Sequence, residues 1–444
     1  MFFVREMRMS YLTLASLLSL ATLGTASPLP SQHDSTSSSQ KCVYWEANAI
    51  PSYGILANLS VGTPGQEIKS IPLDSASSDT WFSDALYSNT SSSTAEYVNS
   101  DFLNAYIDGS SSGGVFVKDQ LSIGDDVNFN LQIGVGRANE SDRDGIIGLS
   151  FPEYEFNVIL NDSTPYPNFL KSMKEQGLID RSAFSMYPSD GAEHTDFDIE
   201  QAYRYGVAFG GVDESKIDGE LTSLPILYNT WFTKSDKPFT YFLQLDEIFF
   251  GDYSLTGPSN DTDSLPDDST LLMRNSTVAL LDSGNQGILL PTDLLQQFNA
   301  FLDPIEYRDG QPVIPCDLQK QNGYLHFKFH GGYIASMKMS SVFYPVNDEN
   351  TKCQSYVYEA TTVMNLGLPF LANHYILFDQ DAYEISFGKL RQSSNQQFKA
   401  LEPFTKSINP TTVTLDPLPN PTFPFAAAAT SAVPSSSTQK RCNK

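Results

Sequence analysis

The stretch Ser70–Phe82, SIPLDSASSDTWF, places a carboxylate at the end of a hydrophobic approach. Ile71, Pro72 and Leu73 lead directly into Asp74, and a cluster of hydroxyl side chains follows it. An ionised carboxylate in apolar surroundings is strongly destabilising unless a partner compensates it. The stretch is therefore either a surface turn with a solvated aspartate or a site where the carboxylate carries out chemistry.

A second copy of the pattern favours chemistry. Leu281-Asp282-Ser283 repeats Leu73-Asp74-Ser75, and each copy follows an apolar run. Downstream of each copy lies an apolar, glycine-containing motif, GIIGLS at 145–150 and NLGLPF at 365–370. This internal repeat predicts two homologous lobes that bring two aspartates together across a pseudo-twofold axis.

Two carboxylates that share a cleft cannot both ionise easily, so the pair holds one proton between them. In acid, the ionised member can take a proton from a bound water while the other protonates a carbonyl oxygen. Water then adds to a peptide bond without a metal or a covalent intermediate. The hydroxyls beside each aspartate are expected to fix and tune the carboxylates.

The rest of the body has a β pattern. From about residue 44 to residue 390, short alternating apolar runs are broken by Gly, Asp, Asn and Pro, which is typical of strands and turns. Helical periodicity is confined to residues 168–176 and 293–301. A length of 444 residues exceeds one ordinary core and fits two lobes. The predicted fold class is all-β, mainly β, with two lobes and a cleft between them.

The N-terminus predicts secretion. Residues 1–26 have a positive start, an apolar core and a small-residue cleavage site, which together are typical of a signal peptide too short to span a membrane. No later segment is long and apolar enough to span one either. Six sequons for N-glycosylation agree with secretion: Asn58, Asn89, Asn139, Asn161, Asn260 and Asn275.

The two ends look different from the body. Residues 27–48 form a short extension, a candidate vestigial propeptide, in which Lys41 is the only Lys or Arg. Residues 401–444 are rich in Pro, Ser, Thr and Ala and predict a flexible tail. We therefore expect an extracellular protein, and we leave open whether the tail associates with a cell wall.

The composition limits the partners and cofactors. The net charge of −25 repels nucleic acid and anionic membranes. Of the four cysteines, Cys316 and Cys353 lie in one folded region and are expected to pair, whereas Cys42 and Cys442 either bridge the two ends or stay separate. The cysteines and five histidines lack paired ligand spacing, so neither a metal nor a cofactor is expected.

With these motifs in place, the chain from about residue 53 to residue 390 resembles the pepsin-like aspartic proteases of the fungal secreted type. DSASSDTW resembles the first D-T-G-S-S-N-x-W motif of that family, and DSGNQG resembles the second D-[ST]-G motif. YIDGSSSGG resembles the flap hairpin, and DGIIGLSFPE resembles the D-G-I-L-G-L segment. The resemblance implies the bilobal pepsin-like fold, with an N-terminal lobe over 49–235 and a C-terminal lobe over 236–400.

The same resemblance implies roles for individual residues. Asp74 and Asp282 would be the catalytic dyad, and Cys316 and Cys353 would form the disulfide of the C-terminal lobe. The residues implied to support the dyad are Ser75, Ser77, Ser283 and Asn285. The residues implied to form the flap and bind substrate are Tyr106, Asp108, Gly109 and Trp81. The partner would be a protein or peptide substrate, with no nucleic acid and no membrane span, and the expected state is a monomer.

Departures from the family pattern keep a second hypothesis open. Ala76 and Asn285 stand where the family has Gly and where it has Thr or Ser, and Asn365 stands where an apolar residue is usual. Gly is used where backbones approach closely, so the methyl of Ala76 is able to crowd the other lobe or shift Asp74. The first hypothesis is a secreted aspartic endopeptidase that acts in acid. The alternative is a catalytically weakened protein of the same fold that binds peptides or proteins in the cleft.

Overall fold

The computed structural model describes residues 41–406 and 411–412, except 107–108, 125, 138–143, 162, 192–201, 229–236, 260–264, 267, 309, 318–322, 348 and 362. The predicted signal peptide, Asp108, Asn139, Asn260, Cys442 and most of the predicted tail lie outside the described residues.

Strands dominate the described chain, as the alternating pattern predicts. The first half contains β1 Val43–Ile50, β2 Gly54–Val61, β3 Gln66–Asp74, β4 Trp81–Ser83, β5 Glu96–Ala105, β6 Ser111–Ile123, β7 Val127–Gly136, β8 Gly145–Gly148, β9 Ala183–Pro188, β10 Tyr203–Phe209, β11 Gly211–Asp213, β12 Ile217–Pro225 and β13 Leu227–Tyr228. The second half contains β14 Phe242–Gly251, β15 Gly257–Pro258, β16 Thr270–Met273, β17 Thr277–Leu281, β18 Ile288–Leu290, β19 Glu306–Arg308, β20 Gln311–Pro315, β21 Tyr324–Phe329, β22 Tyr333–Lys338, β23 Phe343–Pro345, β24 Lys352–Ser355, β25 Val357–Glu359, β26 Met364–Leu366, β27 Tyr375–Asp379, β28 Glu384–Leu390, β29 Phe398–Ala400 and β30 Thr411–Thr412.

The helices are few and short. The described α-helices are α1 Phe156–Asn161, α2 Phe169–Glu175, α3 Thr292–Phe301 and α4 Leu368–Leu371. The periodicity at 168–176 and 293–301 predicted α2 and α3, and the side chain of Asn168 caps α2 by accepting a hydrogen bond from the Lys171 N–H. The sequence did not indicate α1 and α4, because six and four residues are too few to show a helical period.

The internal repeat of the sequence is a repeat of sheet topology. In the first half, β3 pairs in parallel with β8, β8 pairs antiparallel with β4, and β4 pairs in parallel with β7. In the second half, β17, β26, β18 and β25 reproduce the same order and the same strand directions. Each Asp motif thus ends a strand that lies beside its own glycine-containing motif, which gives the two halves matching site loops.

The two halves share a sheet as well as a core. Strands β27 and β28, from the predicted C-terminal lobe, pair with β9 and β12 of the first half inside a 13-stranded sheet. The remaining C-terminal strands form a four-stranded sheet and, together with β13, an 11-stranded sheet, and β11 pairs with β29 in a two-stranded sheet. The largest hydrophobic cluster contains residues of both halves, among them Leu73 and Leu281. The bilobal mainly-β prediction is confirmed.

The structure differs from the predicted boundaries at both ends. Strand β1 begins at Val43, inside the segment 27–48 that we expected to be an extension, and it pairs with β10 and β2. Val43, Trp45 and Ala47 alternate as buried residues, a strand pattern that a boundary drawn from composition overlooks. Within the predicted tail, β30 pairs in parallel with β13. The lobe boundaries 49–235 and 236–400 stay a prediction.

Candidate active site

The pseudo-twofold axis brings Asp74 and Asp282 together. Asp74 is the last residue of β3 and is only 6% exposed, and Asp282 follows β17 directly. The two carboxyl groups are close enough that the charge of Asp74 acts directly on Asp282. Two motifs that lie about half the chain apart in sequence therefore form one pair of carboxyls.

Two serines brace the two loops reciprocally. The Ser75 N–H donates to Ser283 Oγ at 2.9 Å, and the Ser283 N–H donates to Ser75 Oγ at 2.9 Å. In turn, Ser75 Oγ donates to the Leu281 carbonyl at 2.9 Å, and Ser283 Oγ donates to the Leu73 carbonyl at 2.7 Å. Both serines are fully buried. Because each hydroxyl both accepts and donates across the axis, the separation of the two aspartates is held by four hydrogen bonds.

Each aspartate also accepts two hydrogen bonds from its own half. Asp74 Oδ1 accepts from the Ala76 N–H at 2.8 Å, and its Oδ2 accepts from Ser77 Oγ at 2.6 Å. Asp282 Oδ1 accepts from the Gly284 N–H at 2.9 Å, and its Oδ2 accepts from Asn365 Nδ2 at 2.6 Å. These donors fix the orientation of both carboxyl planes.

Asn285, which the resemblance implies to support the dyad, makes its hydrogen bonds to Asn365 and Gly287 rather than to Asp282. Its Nδ2 donates to Asn365 Oδ1 at 2.8 Å and to the Gly287 carbonyl at 3.1 Å, and its Oδ1 accepts from the Gly287 N–H at 3.1 Å. It therefore reaches Asp282 through Asn365.

The positions after the two Asp-Ser pairs differ in the room they offer. A methyl group on Gly284 would lie 2.7 Å from both Cγ and Oδ1 of Asp74, so this position requires glycine. The methyl of Ala76 instead packs against an apolar cluster that consists of Leu227, Phe239, Phe242 and Leu280. Asp74 keeps both of its donors, so the crowding that the sequence suggested at Ala76 does not break the hydrogen bonds of the dyad.

The electrostatics of the pair are unequal. Burial raises the pKa of Asp282 to about 7, and the neighbouring Asp74 carboxylate is the second cause. Hydrogen bonds from Asn365 and from the Gly284 N–H favour the ionised form and oppose part of the rise. In mildly acidic solution the shared proton is therefore held by Asp282.

The predicted flap is a hairpin between β5 and β6. Tyr106 Oη accepts hydrogen bonds from Trp81 Nε1 at 2.6 Å and from Asn104 Nδ2 at 3.1 Å. Gly109 adopts a φ of 84° at the turn, a conformation that glycine adopts without strain. The Tyr106 ring packs against the cluster of Trp81, Phe102, Phe116 and Ile146, which ties the flap to the first lobe.

Two residues near the dyad were not assigned a role from the sequence. Asn365, noted there only as an unusual polar residue, is a direct donor to Asp282. Tyr154 is half-buried, and its pKa is raised by burial and then by the charges of Asp74 and Asp282, which places its hydroxyl near the pair. Its ring lies 5.1 Å from Phe239. Only a polar residue in an apolar motif signalled Asn365, and nothing in the local sequence signalled Tyr154.

The structure also shows the state of the predicted disulfide and the exposure of the sequon asparagines. Cys316 and Cys353 form a disulfide. Cys42 has no disulfide partner among the described residues, and burial followed by the charge of Asp213 raises the pKa of its thiol to about 12. Of the sequon asparagines in the described part of the chain, Asn58, Asn161 and Asn275 are exposed and Asn89 is half-buried.

The described ranges contain neither a metal-binding cluster nor a membrane-spanning helix. No group of three or more His, Cys, Asp or Glu side chains there is arranged to hold a metal ion. Also within those ranges, no helix combines the length and the apolar character needed to cross a membrane.

Comparisons with known proteins agree with this geometry. The family model described as eukaryotic aspartyl protease matches residues 54–390. The "Probable aspartic-type endopeptidase opsB" of Aspergillus fumigatus is 28% identical over 365 residues, covering 76% of this chain and 69% of that protein. The "Acid protease" of Saccharomycopsis fibuligera is 25% identical over 345 residues, covering 76% and 80%.

A solved structure has the same fold. The crystal structure of the aspartic proteinase from Irpex lacteus superimposes with a TM-score of 0.62 at 19% identity, covering 79% of this chain and 98% of that one. At this identity the match shows the fold alone. The family model spans most of the chain and includes both aspartate loops, so the protein belongs to the family of eukaryotic aspartyl proteases.

Proposed function

We propose that this protein is a secreted aspartic endopeptidase that hydrolyses peptide bonds at acidic pH with a water activated between Asp74 and Asp282. One observation carries the proposal: the buried carboxyl of Asp74 and the half-buried carboxyl of Asp282 lie side by side, and the pKa of Asp282 is raised to about 7. A pair that holds one proton has an acid and a base in the same place, which general acid–base hydrolysis needs.

In this proposal the two aspartates take opposite parts in the proton transfers. Asp282 holds the shared proton and acts as the acid towards the scissile carbonyl oxygen. Asp74, with hydrogen bonds from the Ala76 N–H and from Ser77 Oγ, is the carboxylate that accepts a proton from the attacking water. The four hydrogen bonds of Ser75 and Ser283 keep acid and base at a constant separation during the reaction.

Several features support a peptide substrate and secretion. The hairpin of Tyr106 would cover an extended peptide, and the hydrogen bond from Trp81 to Tyr106 ties that hairpin to the strand that follows the Asp74 loop. The relatives named above are an aspartic-type endopeptidase and an acid protease, which supports the same activity here. The signal-peptide pattern of residues 1–26 and the six sequons support secretion, which also suits the Cys316–Cys353 disulfide.

The binding-only alternative rested on Ala76 and Asn285. The Ala76 N–H makes the same contact with its aspartate as the Gly284 N–H does in the other half, at 2.8 Å and 2.9 Å. Asn285 acts through Asn365, which leaves Asp282 with two donors. Neither departure removes a hydrogen bond that the dyad needs.

The test is hydrolysis of an acid-denatured protein between about pH 3 and pH 6, near and above ordinary carboxyl pKa values. Wild type is compared with Asp74→Asn and Asp282→Asn, with and without pepstatin, an inhibitor of aspartic proteases. Cleavage that pepstatin blocks and that both substitutions abolish supports the proposal. A folded wild type that cleaves nothing over this pH range overturns it and favours the binding protein.

A further inference from the structure

We propose that Asn365 is a positioning residue, oriented by Asn285, that holds the carboxyl of Asp282 in the orientation needed for proton donation. This inference rests on the proposed function. It concerns a chain of amide hydrogen bonds in the second half that has no counterpart in the first half of the site.

Asn365 is placed by strand pairing. It lies in the middle of β26, between β17 and β18, paired with Leu280 on one side and Leu289 on the other. Its side chain is 5% exposed, and its Nδ2 donates to Asp282 Oδ2 at 2.6 Å. A residue with strands on both sides has little freedom, so the amide is held at a constant position relative to the aspartate.

The direction of the hydrogen-bond chain is set by the backbone. The Gly287 N–H can only donate, so it selects Oδ1 of Asn285 as its acceptor at 3.1 Å. Asn285 Nδ2 then faces Asn365 Oδ1 at 2.8 Å, and this leaves Asn365 Nδ2 as the atom that faces Asp282. A flip of either amide would place a donor against a donor or an acceptor against an acceptor, so the direction of these hydrogen bonds cannot reverse.

The two aspartates therefore have different partners. Ser77 Oγ, beside Asp74, is a hydroxyl that can rotate and that donates or accepts according to the state of the carboxyl. Both partners of Asp282 are N–H donors, one on each oxygen, and neither can accept the proton of the acid form. A proton on Asp282 is thereby kept away from the Gly284 and Asn365 side and is available to Asp74 and to substrate.

The central variant is Asn365→Leu, which keeps a similar volume and removes the donor. We expect kcat to fall about 10- to 100-fold with KM within about twofold, the range for a misplaced acid rather than a lost binding contact. Without this donor the ionised form of Asp282 is less stable, so the alkaline limb of the kcat/KM profile moves up by about one pH unit.

Rescue and control variants separate positioning from a structural role. Asn285→Ser combined with Asn365→Leu copies the Ser77 arrangement of the first half. We expect this double variant to restore the alkaline limb to its wild-type pH and to raise kcat at least tenfold above that of Asn365→Leu alone. Asn285→Ala leaves β26 intact but frees the Asn365 amide, and we expect a smaller shift of the same sign. Asn373→Leu is the matched control, because Asn373 is a buried asparagine whose amide donates to Ser341 and to the Pro369 carbonyl rather than to an aspartate of the dyad.

A titration that does not depend on activity distinguishes the two possible failures. ¹³C NMR of aspartate carboxyls, with Asp282→Asn used to assign the signal, follows protonation of Asp282 in every variant. If wild type is inactive but Asn365→Leu raises the midpoint and Asn373→Leu does not, the proposed function fails and the positioning role stands. If wild type is active and Asn365→Leu changes neither the titration nor the pH profile, the positioning role is overturned.

Discussion

At the residue scale, the dyad depends on which positions leave room for a side chain. Gly284 lies against the Asp74 carboxyl, whereas Ala76 packs against the apolar cluster that contains Phe239 and Leu280. The family pattern has glycine where this chain has Ala76. The structure shows that, of positions 76 and 284, only 284 has no room for a methyl group, because the Asp74 carboxyl fills the space. The two loops are therefore related by the pseudo-twofold axis but unequal in packing.

This difference in packing predicts that Gly284→Ala and Ala76→Gly have different effects on activity. Gly284→Ala would push a methyl into Asp74, and we expect kcat/KM to fall at least about 100-fold because small displacements of catalytic groups are costly in rate. Ala76→Gly is the matched control and should keep activity within about fivefold while losing about 1 kcal/mol of stability through backbone entropy and packing. Steady-state kinetics and thermal melts measure both. Equal losses of activity in the two variants would contradict the packing argument.

At the element scale, the first active-site loop rests on two buried carboxyls, Asp79 and Glu155. They are 2% and 1% exposed. Asp79 accepts from Tyr166 Oη at 2.7 Å and from the Phe156 N–H at 2.8 Å, and Glu155 Oε2 accepts from the Tyr166 N–H at 3.0 Å. Glu155 Oε1 has no hydrogen-bond partner in the part of the chain that the structure describes. These contacts join the loop after β3 to the start of α1.

The titration of this pair couples the loop to pH. Burial raises the pKa of Asp79 to about 6 and that of Glu155 to about 10, with the charge of Asp79 the second cause for Glu155 and that of Glu153 a smaller one. A folded-state pKa above the unfolded value means that folding favours the protonated acid. The stability contribution is complete below about pH 4 and is lost as pH rises, between about 4 and 6 for Asp79 and between about 4.5 and 10 for Glu155.

We therefore expect stability to fall from acid to neutral pH, with Glu155 contributing up to about 1.4 kcal/mol per pH unit in its window. Glu155→Gln removes the titrating group, keeps the shape and should flatten the fall in melting temperature between pH 5 and pH 7. Glu153→Gln, a change at a half-buried residue of the same segment, should leave the slope near that of wild type. Melting curves that stay parallel for wild type and Glu155→Gln would show that Glu155 is not held protonated.

At the scale of the whole molecule, the net negative charge destabilises the folded protein at neutral pH, whereas the shared sheet and core stabilise it. The net charge of −25 repels itself at neutral pH and diminishes in acid, which suits a protein proposed to work there. The shared sheet of β9, β27, β28 and β12, together with the common core, joins the two halves across the site. In the second half, the disulfide joins the end of β20 to β24 across a sequence separation of 37 residues.

Replacing both Cys316 and Cys353 by Ser should destabilise the protein by about 4 kcal/mol, the chain-entropy value for a loop of that length. Urea unfolding, followed by the fluorescence of the three tryptophans, measures the loss. Cys42→Ser serves as the comparison, and we expect a change below about 1 kcal/mol because its thiol has no disulfide partner among the described residues. An unchanged midpoint in the double variant would mean that the loop is already restrained by the β20–β24 pairing.

Some of this protein follows from local sequence alone. The mainly-β class, the internal repeat and the two Asp-Ser motifs with their glycine-containing partners are readable because each consists of neighbours in sequence. So are α2 and α3, whose apolar periods are long enough to detect. Family membership follows from the same motifs taken in order, and the match to residues 54–390 confirms it.

Other features are decided only by tertiary structure, because they join residues far apart in sequence through strand register. Asn365 lies 83 residues from Asp282 and reaches it because β26 pairs in parallel with β17, so that a shift of one residue would turn the amide to the opposite face. Tyr166 and Asp79, which lie in loops, also meet across 87 residues, through packing of those loops. Hydrophobic and turn patterns specify which strands form, and packing between strands specifies which distant polar groups meet. The meeting of the two aspartates and the support from Ser77 could therefore be expected from the motifs, whereas the Asn365 donor could not.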